Sequence, residues 1–193
     1  MEKGGQIIMK KLRILVDLDD VLNNLLECWV ELLNCKYHLN AKAEDSKTWN
    51  VQGIYPTLTE EEVYRPIYED EVWTMLSPRP DSVEALKEMI EDGHDVIIVT
   101  ASVYQTLHLK MDWFFTTFPF LSWENVIITK RKQLIKGDVL IDDGYHNLEG
   151  GDYFKILIDA PYNRSYDQEK KGMIRVKDLK EAYDRIKEQP EFL

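Results

Sequence analysis

The chain has 193 residues, of which 44% are hydrophobic and 31% are charged. The hydrophobic content is sufficient for a packed core and excludes an intrinsically disordered chain. With 35 acidic and 24 basic side chains, the formal net charge is −11. Such a charge disfavours a nucleic-acid polymer or an anionic membrane as partner, because the mean field repels phosphates. An anionic ligand would have to be held by a local cation.

Short apolar runs of β-forming residues recur along the chain and predict buried parallel strands. They occupy residues 12–16, 96–99, 126–128, 139–141 and 156–158. Helical apolar spacing occurs at 21–33, at 83–90 with Asp81 or Ser82 as N-cap, at 107–114 and at 179–186. Alternating strands and helices predict an α/β fold with a doubly wound parallel sheet.

The interval between the first two predicted helices contains no strand pattern but several aromatic and proline residues. We predict a small helical cap inserted after the first strand-helix unit, with the core at 10–33 and 79–193 and the cap at 34–78. Residues 41–95 hold 14 acidic and five basic side chains. The acidity of the chain is therefore concentrated around this insertion.

The cysteines and the N-terminus indicate a cytoplasmic protein. Cys28 and Cys35 are the only cysteines and lie in a stretch of helical spacing, which is typical of reduced, packed thiols rather than a disulfide framework or a zinc site. The N-terminal apolar stretch is too short for a signal-peptide core, and no run is long enough to cross a membrane. Met9 is an alternative start, with the first eight residues as an extension.

Four predicted strand ends carry polar side chains, at the edge where open α/β sheets bind ligands. In chain order these ends contribute Asp17 and Asp19; Thr100, Ala101 and Ser102; Lys130 and Lys132; and Asp142 and Asp143. Each group alone could be a helix cap or a turn. Together, however, the paired carboxylates concentrate like charge that a cation would neutralise. Hard oxygen ligands favour Mg²⁺, which commonly binds substrate phosphate as well.

We interpret this edge as a site of phosphoryl transfer. A carboxylate such as Asp17 can attack phosphorus and form an aspartyl-phosphate. Asp19, two residues on, could protonate the leaving alkoxide and then activate water. The Thr100 hydroxyl, backbone N–H groups and Lys132 would bind the phosphoryl oxygens.

The order of these residues resembles the haloacid dehalogenase-like (HAD) hydrolase superfamily. The resemblance covers residues 13–159 and rests on Asp17-x-Asp19-x-Val21, on Thr100 after a strand, and on Lys132 ahead of Asp142-Asp143. It implies a Rossmann-like core, Asp17 as nucleophile, Asp19 as acid/base, and Thr100 and Lys132 on the phosphate. It also implies Mg²⁺ as cofactor, held by Asp17, the backbone carbonyl of Asp19, Asp142 and Asp143.

Within that superfamily, the chain looks like the 5′(3′)-deoxyribonucleotidases in its opening motif, its insertion and its Lys132 to Asp142 spacing. Residues 159–164, Asp-Ala-Pro-Tyr-Asn-Arg, also look like a late motif of bacterial members. This resemblance implies a Mg²⁺-dependent phosphomonoesterase that acts on deoxyribonucleoside 5′(3′)-monophosphates, a small phosphorylated partner. Trp49 and Tyr68 stand at positions similar to base-contacting ones. Ala101, Ser102 and Lys130 are further candidates for substrate contact.

Some residues depart from the pattern, and other functions stay open. Asp20 replaces a glycine of mammalian relatives, as either a helix cap or a third acidic group at the metal; Ala101 replaces a frequent serine, and Leu25 an aromatic residue facing the base. One alternative is a phosphatase for another small phosphoester, such as a sugar phosphate; another is a non-catalytic nucleotide-binding homologue. A receiver-type signalling domain is disfavoured, because its phosphorylated aspartate follows the third strand, where this chain has lysine. The oligomeric state is open, with a homodimer as one alternative.

Overall fold

A six-stranded, all-parallel sheet is the centre of the computed structural model, which describes residues 10–192. The strands are β1 (Arg13–Val16), β2 (Asp95–Thr100), β3 (Val126–Ile128), β4 (Val139–Asp142), β5 (Phe154–Ile158) and β6 (Met173–Val176). Their order across the sheet is β3-β2-β1-β4-β5-β6. This is a doubly wound order with its switch point between β1 and β4, and it confirms the predicted fold class. The alternative start at Met9 lies outside the described residues.

Seven α-helices accompany the sheet within the described residues. They are α1 (Leu25–Tyr37), α2 (Glu60–Tyr68), α3 (Glu71–Met75), α4 (Ser82–Glu91), α5 (Leu107–Thr117), α6 (Tyr145–Leu148) and α7 (Leu179–Lys187). Asp81 is the N-cap residue of α4, as predicted, but its side chain makes no capping hydrogen bond. The Asp81 backbone lies in the left-handed region, with a φ of 61°.

Side chains alternate between the two faces of the sheet, as the pleat requires. Ile14, Val16 and Ile98 belong to a main core that includes residues of α4, α5 and α7. Leu15 and Val99 face the opposite side, where they pack with Leu148 of α6 and other residues. Because both faces are covered, the central strands are continuous apolar runs, which is why the sequence reveals them.

Strand β6 was absent from the predicted elements. It is a four-residue edge strand, and Arg175 interrupts its apolar pattern. The guanidinium is only partly buried and hydrogen-bonds to Asp159 Oδ1 at 3.0 Å and to the Asn163 backbone oxygen at 3.0 Å. A short strand with a charged interior residue does not resemble the buried runs of the other strands.

The apolar stretch 21–33 was predicted as one helix, but it divides between two parts of the molecule. Val21 and Leu22 lie in turns after β1 and pack in the main core. Helix α1 begins only at Leu25, after Asn23 Oδ1 accepts hydrogen bonds from the backbone N–H groups of Asp20 and Leu25, each at 3.1 Å. The predicted helix is therefore too long at its N-terminus, because side-chain hydrogen bonds stabilise a turn there.

Helix α1 packs with the insertion rather than with the sheet. Its residues Leu26, Trp29 and Leu33 form a second hydrophobic cluster with residues of the insertion, including Tyr55 and Trp73. The Trp29 indole N–H donates to the Val63 carbonyl at 2.7 Å. The division of the chain at residue 33 stays a prediction, and this packing favours a division nearer residue 24.

Two chain segments connect the insertion to the core, and they lie side by side. Asn23 and Pro78 form an isolated antiparallel bridge. The Arg79 N–H donates to the Leu22 carbonyl at 2.9 Å, and the Ser77 N–H donates to Asn24 Oδ1 at 2.7 Å. This double connection positions the insertion above the ends of the strands.

None of the helices described between residues 10 and 192 is both long enough and apolar enough to cross a membrane.

Candidate active site

The carboxyl ends of β1 and β4 bring the predicted carboxylates together. Val16 pairs with Ile141, so Asp17 and Asp142 follow side by side at the switch point of the sheet. The Asp17 N–H also donates to the Ile141 carbonyl at 2.9 Å. Asp17, Asp142 and Asp143 are buried, and each offers a carboxylate oxygen within 4.8 Å of the others. Parallel pairing in register thus produces the cluster that the motifs predicted.

Lys132 lies between two of these carboxylates. Its Nζ is 2.6 Å from Asp17 Oδ1 and 2.6 Å from Asp142 Oδ2. Burial lowers the Lys132 pKa, but the two carboxylates outweigh burial and raise it overall, so the side chain is a cation. Burial raises the pKa of Asp17 to about 7, helped by Asp142 and Asp19 and opposed by Lys132. One ammonium therefore neutralises only part of the negative charge.

The donor set fits a divalent cation. Asp143 Oδ1 is buried and has no hydrogen-bond partner within residues 10–192, and burial together with Asp142 and Asp17 raises the pKa of this carboxyl well above its usual value. Asp143 Oδ2 accepts a short hydrogen bond from the Tyr162 hydroxyl. An unpaired buried oxygen beside two further carboxylates is what a hard cation such as Mg²⁺ binds, and a cation there would favour the ionised carboxylates.

Asp19 points away from this cluster, toward a buried lysine that the sequence did not single out. Its Oδ2 lies 2.5 Å from Nζ of Lys110, and its Oδ1 accepts from the Asn23 side-chain amide at 3.1 Å. Lys110 Nζ also donates to the Ala101 carbonyl at 2.6 Å and to Thr100 Oγ1 at 3.2 Å. A single ammonium thus connects the loop after β1 to the loop after β2. Because Asp19 faces Lys110, only its backbone carbonyl stays a candidate for the metal.

A cavity of about 470 Å³ opens above these side chains. Its floor includes Asp17, Asp19, Lys132 and Asp143, and its upper wall is mostly apolar. The wall residues come from α1, the insertion and the loop after β5: Leu25, Leu26, Trp29, Trp49, Val51, Tyr64 and Tyr162. A polar floor under an apolar, aromatic wall suits a small ligand with an anionic end and a flat apolar end.

The predicted substrate contacts divide into two groups. Trp49, Ala101 and Lys130 line the cavity. Tyr68 does not: it is 52% exposed and lies in a separate shallow depression with Glu60 and Glu61. A base contact at Tyr68 stays a prediction. The last turn of α2 directs this side chain outward, whereas Tyr64, one turn earlier, lines both this depression and the main cavity.

The two hydroxyl side chains of the loop after β2 form hydrogen bonds within the protein. The Ser102 hydroxyl donates to the Val103 carbonyl at 3.3 Å, and Ser102 is not among the residues that line the cavity. The Thr100 hydroxyl is fully buried, donates to the Ala101 carbonyl at 3.2 Å and accepts from Lys110. Ala101 borders the cavity directly, which favours phosphate contacts through backbone N–H groups.

Asp20 makes the contacts of a structural turn and also lines the cavity next to Asp19. It adopts a φ of 57°, and its Oδ1 accepts from the Leu26 N–H at 2.9 Å and lies 3.3 Å from an Arg79 nitrogen. A left-handed residue at this turn is compatible with the glycine expected from mammalian relatives. Asp20 thus connects the start of α1 to the segment that leaves the insertion.

The residues that line or support the site without having been predicted include Lys110, Tyr162, Tyr64 and His146. His146 borders the cavity and contacts Trp49 edge to face, with ring centroids 4.5 Å apart; burial lowers its pKa. The available signals were weak. Tyr162 stands in the noted 159–164 motif, and His146 follows Asp142-Asp143 closely, but Lys110 has the sequence context of an ordinary helical lysine.

The fold is that of the HAD-like hydrolases. The family described as "5′ nucleotidase, deoxy (Pyrimidine), cytosolic type C protein" matches residues 10–189, and the chain belongs to this family. It is 35% identical over 158 residues to a 5′(3′)-deoxyribonucleotidase of Bacillus subtilis, covering 81% of this chain and 90% of that protein. It is 32% identical over 174 residues to a 5′(3′)-deoxyribonucleotidase of Clostridium acetobutylicum, covering 90% and 94%.

Solved structures show the same fold at much lower sequence identity. A HAD family hydrolase from Deinococcus radiodurans, with bound phosphate and sodium, superposes with a TM-score of 0.62 at 15% identity, covering 95% of this chain and 97% of that one. A D,D-heptose 1,7-bisphosphate phosphatase from Burkholderia thailandensis gives 0.54 at 13% identity, covering 93% and 100%. These likenesses show the fold alone.

Proposed function

We propose that the protein is a Mg²⁺-dependent phosphomonoesterase that dephosphorylates deoxyribonucleoside 5′(3′)-monophosphates through an aspartyl-phosphate on Asp17. One observation carries this proposal: Asp17 and Lys132 lie together on the floor of a cavity whose opposite wall is aromatic and apolar. The floor suits a phosphate and the wall suits a base. The 5′(3′)-deoxyribonucleotidase names of the relatives support the same substrate class.

The first step is attack by an Asp17 carboxylate oxygen on phosphorus. The new bond joins that oxygen to phosphorus, the bond to the nucleoside oxygen breaks, and Asp19 gives its proton to the departing alkoxide. Lys132 supplies positive charge to the equatorial phosphoryl oxygens, together with backbone N–H groups of the loop at Ala101. A Mg²⁺ held by Asp17, Asp142 and Asp143 would supply further positive charge.

The second step hydrolyses the aspartyl-phosphate. Asp19, now ionised, removes a proton from a water that attacks phosphorus, and Asp17 leaves as a carboxylate with inorganic phosphate as product. Lys110 keeps the Asp19 carboxylate in place through both steps, since it donates to this carboxylate and to the loop after β2. Asp19 thus gives one proton to the leaving alkoxide in the first step and regains one from water in the second, so the proton balance of the cycle is closed.

The apolar wall holds the base. Trp49 is 47% exposed, lines the cavity and contacts the Tyr162 and His146 rings edge to face, so part of the indole surface is available to a ligand. Stacking of a base on an aromatic side chain contributes about 1–3 kcal/mol. A sugar phosphate would leave this wall unused, which favours the nucleotide over that alternative.

Asp17→Asn tests the mechanism, and a substrate panel tests the substrate class. We expect phosphate release from deoxyribonucleoside monophosphates in the presence of Mg²⁺, and no release by Asp17→Asn with an unchanged circular dichroism spectrum. Asp112→Asn, an exposed change on α5, is the matched control and retains activity. Turnover by Asp17→Asn would refute the covalent step, and activity confined to sugar phosphates would refute the substrate class.

The proposal also covers the functional unit, the excluded polymer substrate, the cellular location and the oligomeric state. The functional unit consists of the α/β core and the inserted cap, and no nucleic-acid polymer is its substrate, because the cavity has the volume of a small molecule. We place the enzyme in the cytoplasm, as the cysteine usage indicates. Whether it forms a homodimer is a matter for light scattering in solution.

A further inference from the structure

The loop that follows β5 brings a buried tyrosine to the centre of the site. Residues 159–164 connect β5 toward β6, and Tyr162 is 7% exposed. Its hydroxyl donates a short hydrogen bond to Asp143 Oδ2. Neither the nucleophile nor the acid/base of the proposed mechanism contacts this hydroxyl, so its burial beside the carboxylates needs a separate explanation.

The hydrogen bond occupies one of the two oxygens of Asp143 and leaves the other one available. Oδ2 is occupied by the Tyr162 hydroxyl, and Oδ1 is the buried oxygen without a partner in the described chain. The Asp143 backbone is held as well, because the Asn163 side-chain amide donates to its carbonyl at 2.8 Å. Two consecutive residues of the loop thus determine where Asp143 Oδ1 lies, and outer partners of this kind orient metal ligands.

A side chain of β6 forms hydrogen bonds with the loop. Arg175 donates to Asn163 Oδ1 at 2.5 Å and to Asp159 Oδ1 at 3.0 Å. Asn163 Oδ1 also accepts from the Ala160 N–H at 3.2 Å, which closes the turn. These hydrogen bonds restrict the movement of the loop that carries Tyr162, and a positioning residue must itself be held in place.

The ring of Tyr162 has a second neighbour on the other side. It contacts Trp49 edge to face, with ring centroids 5.2 Å apart and planes at 86°. Trp49 belongs to the insertion, whereas Asp143 follows a core strand. Tyr162 is thus the side chain through which the metal-binding carboxylate and the proposed base wall are in contact.

We propose that Tyr162 is a positioning residue for both halves of the site: its hydroxyl orients Asp143 toward the metal, and its ring supports Trp49 against the base. The part concerning the base depends on the proposed function. The part concerning the metal depends only on the carboxylate cluster.

Tyr162→Phe removes the hydroxyl and keeps the ring. We expect its Mg²⁺ dissociation constant to rise about 10- to 100-fold, the usual effect of removing an outer partner of a metal ligand. Binding is measured without substrate, by calorimetry and by the shift in melting temperature with Mg²⁺ concentration. Tyr183→Phe is the matched control, because that buried tyrosine donates to Asp92 Oδ2 at 2.6 Å away from the site. A Mg²⁺ constant of Tyr162→Phe within twofold of both other proteins would overturn the role of the hydroxyl.

Tyr162→Leu removes the ring as well. Compared with Tyr162→Phe, we expect the KM for a deoxyribonucleoside monophosphate to rise by a further factor of about 3–10, the value of an aromatic pair, with no such rise for glycerol 2-phosphate. An equal KM ratio in the two variants would refute the role of the ring. If the wild type processed no nucleotide, the proposed function and the role of the ring would fail together, while Mg²⁺ binding would still decide the role of the hydroxyl.

Discussion

Lys110→Met removes the ammonium that connects Asp19 to the loop after β2 while keeping an unbranched side chain of similar length. Lys110 is 1% exposed, and its Nζ makes contacts at 2.5, 2.6 and 3.2 Å to Asp19, Ala101 and Thr100. In the variant, the Asp19 carboxylate loses its hydrogen bond from Lys110 and keeps the one from the Asn23 side-chain amide. The carboxylate then has less to hold it near the leaving group and more repulsion from Asp17.

The expected size of the effect depends on burial and on charge. A hydrogen bond to a charged group contributes about 1.5–3 kcal/mol, and the Asp19 side chain is 25% exposed, so water replaces part of what is lost. We expect the free energy of unfolding to fall by about 2–3 kcal/mol. A misplaced acid/base lowers kcat by about 100-fold, which corresponds to about 2.7 kcal/mol in the barrier.

Steady-state phosphate release and urea denaturation measure the two effects. Lys187→Met is the control, because it removes a lysine paired with Glu88 at 2.7 Å on the far side of the core; it should change stability by less than about 1 kcal/mol and leave kcat unchanged. A substrate with a better leaving group, p-nitrophenyl phosphate, needs less protonation, so its kcat should fall less in Lys110→Met. If kcat for the nucleotide stayed within threefold of the wild type, the assignment of Lys110 to the Asp19 acid/base would be refuted.

Three further predictions follow from charge and exposure. Burial raises the pKa of Asp20 to about 7 from 3.8, so the folded protein binds an extra proton between these values and loses stability as pH rises through about 7. Urea denaturation of the metal-free protein at a series of pH values should show a smaller loss of stability with pH in Asp20→Asn than in the wild type. Parallel curves of stability against pH for the two proteins would contradict this. Lys132→Met leaves two buried carboxylates without their shared cation, which should cost about 3–5 kcal/mol of stability and abolish activity; a change below about 1 kcal/mol in the same assay would be inconsistent with the ion pairs. Trp49→Ala should raise the nucleotide KM about tenfold, whereas Tyr68→Ala should leave it within twofold, and equal effects of the two would count against Trp49 as the base wall.

Much of the core was predictable because its signals are local. Five of the six strands contain short apolar runs, and a parallel sheet necessarily aligns the carboxyl ends of such strands. Asp17 and Asp142 could therefore be placed together from their positions after β1 and β4, although 125 residues separate them. Lys132 was also found in this way, since it follows a strand end of the same edge.

The helical parts were less predictable, since their apolar spacing does not reveal what they pack against. Val21 and Leu26 both fit one helical pattern, yet the first belongs to the main core and the second to the cluster of the insertion. Likewise, Tyr64 and Tyr68 stand one helical turn apart on α2 and border the same surface depression, and only the docking of α2 decides that Tyr64 also lines the main cavity. Sequence similarity to known base contacts could not resolve a difference of one turn.

Local sequence signals were thus sufficient for five of the six strands, the order of the motifs and the acidic cluster with its lysine, because strand pairing converts positions along the chain into neighbours. The contacts of Lys110 with Asp19 and of Tyr162 with Asp143 emerge only from the packing of the folded chain. Both contacts join elements that are distant in sequence and carry no periodic signal. Burial turns a lysine and a tyrosine of ordinary sequence context into parts of the site, because in the interior each charge and hydroxyl must find a partner.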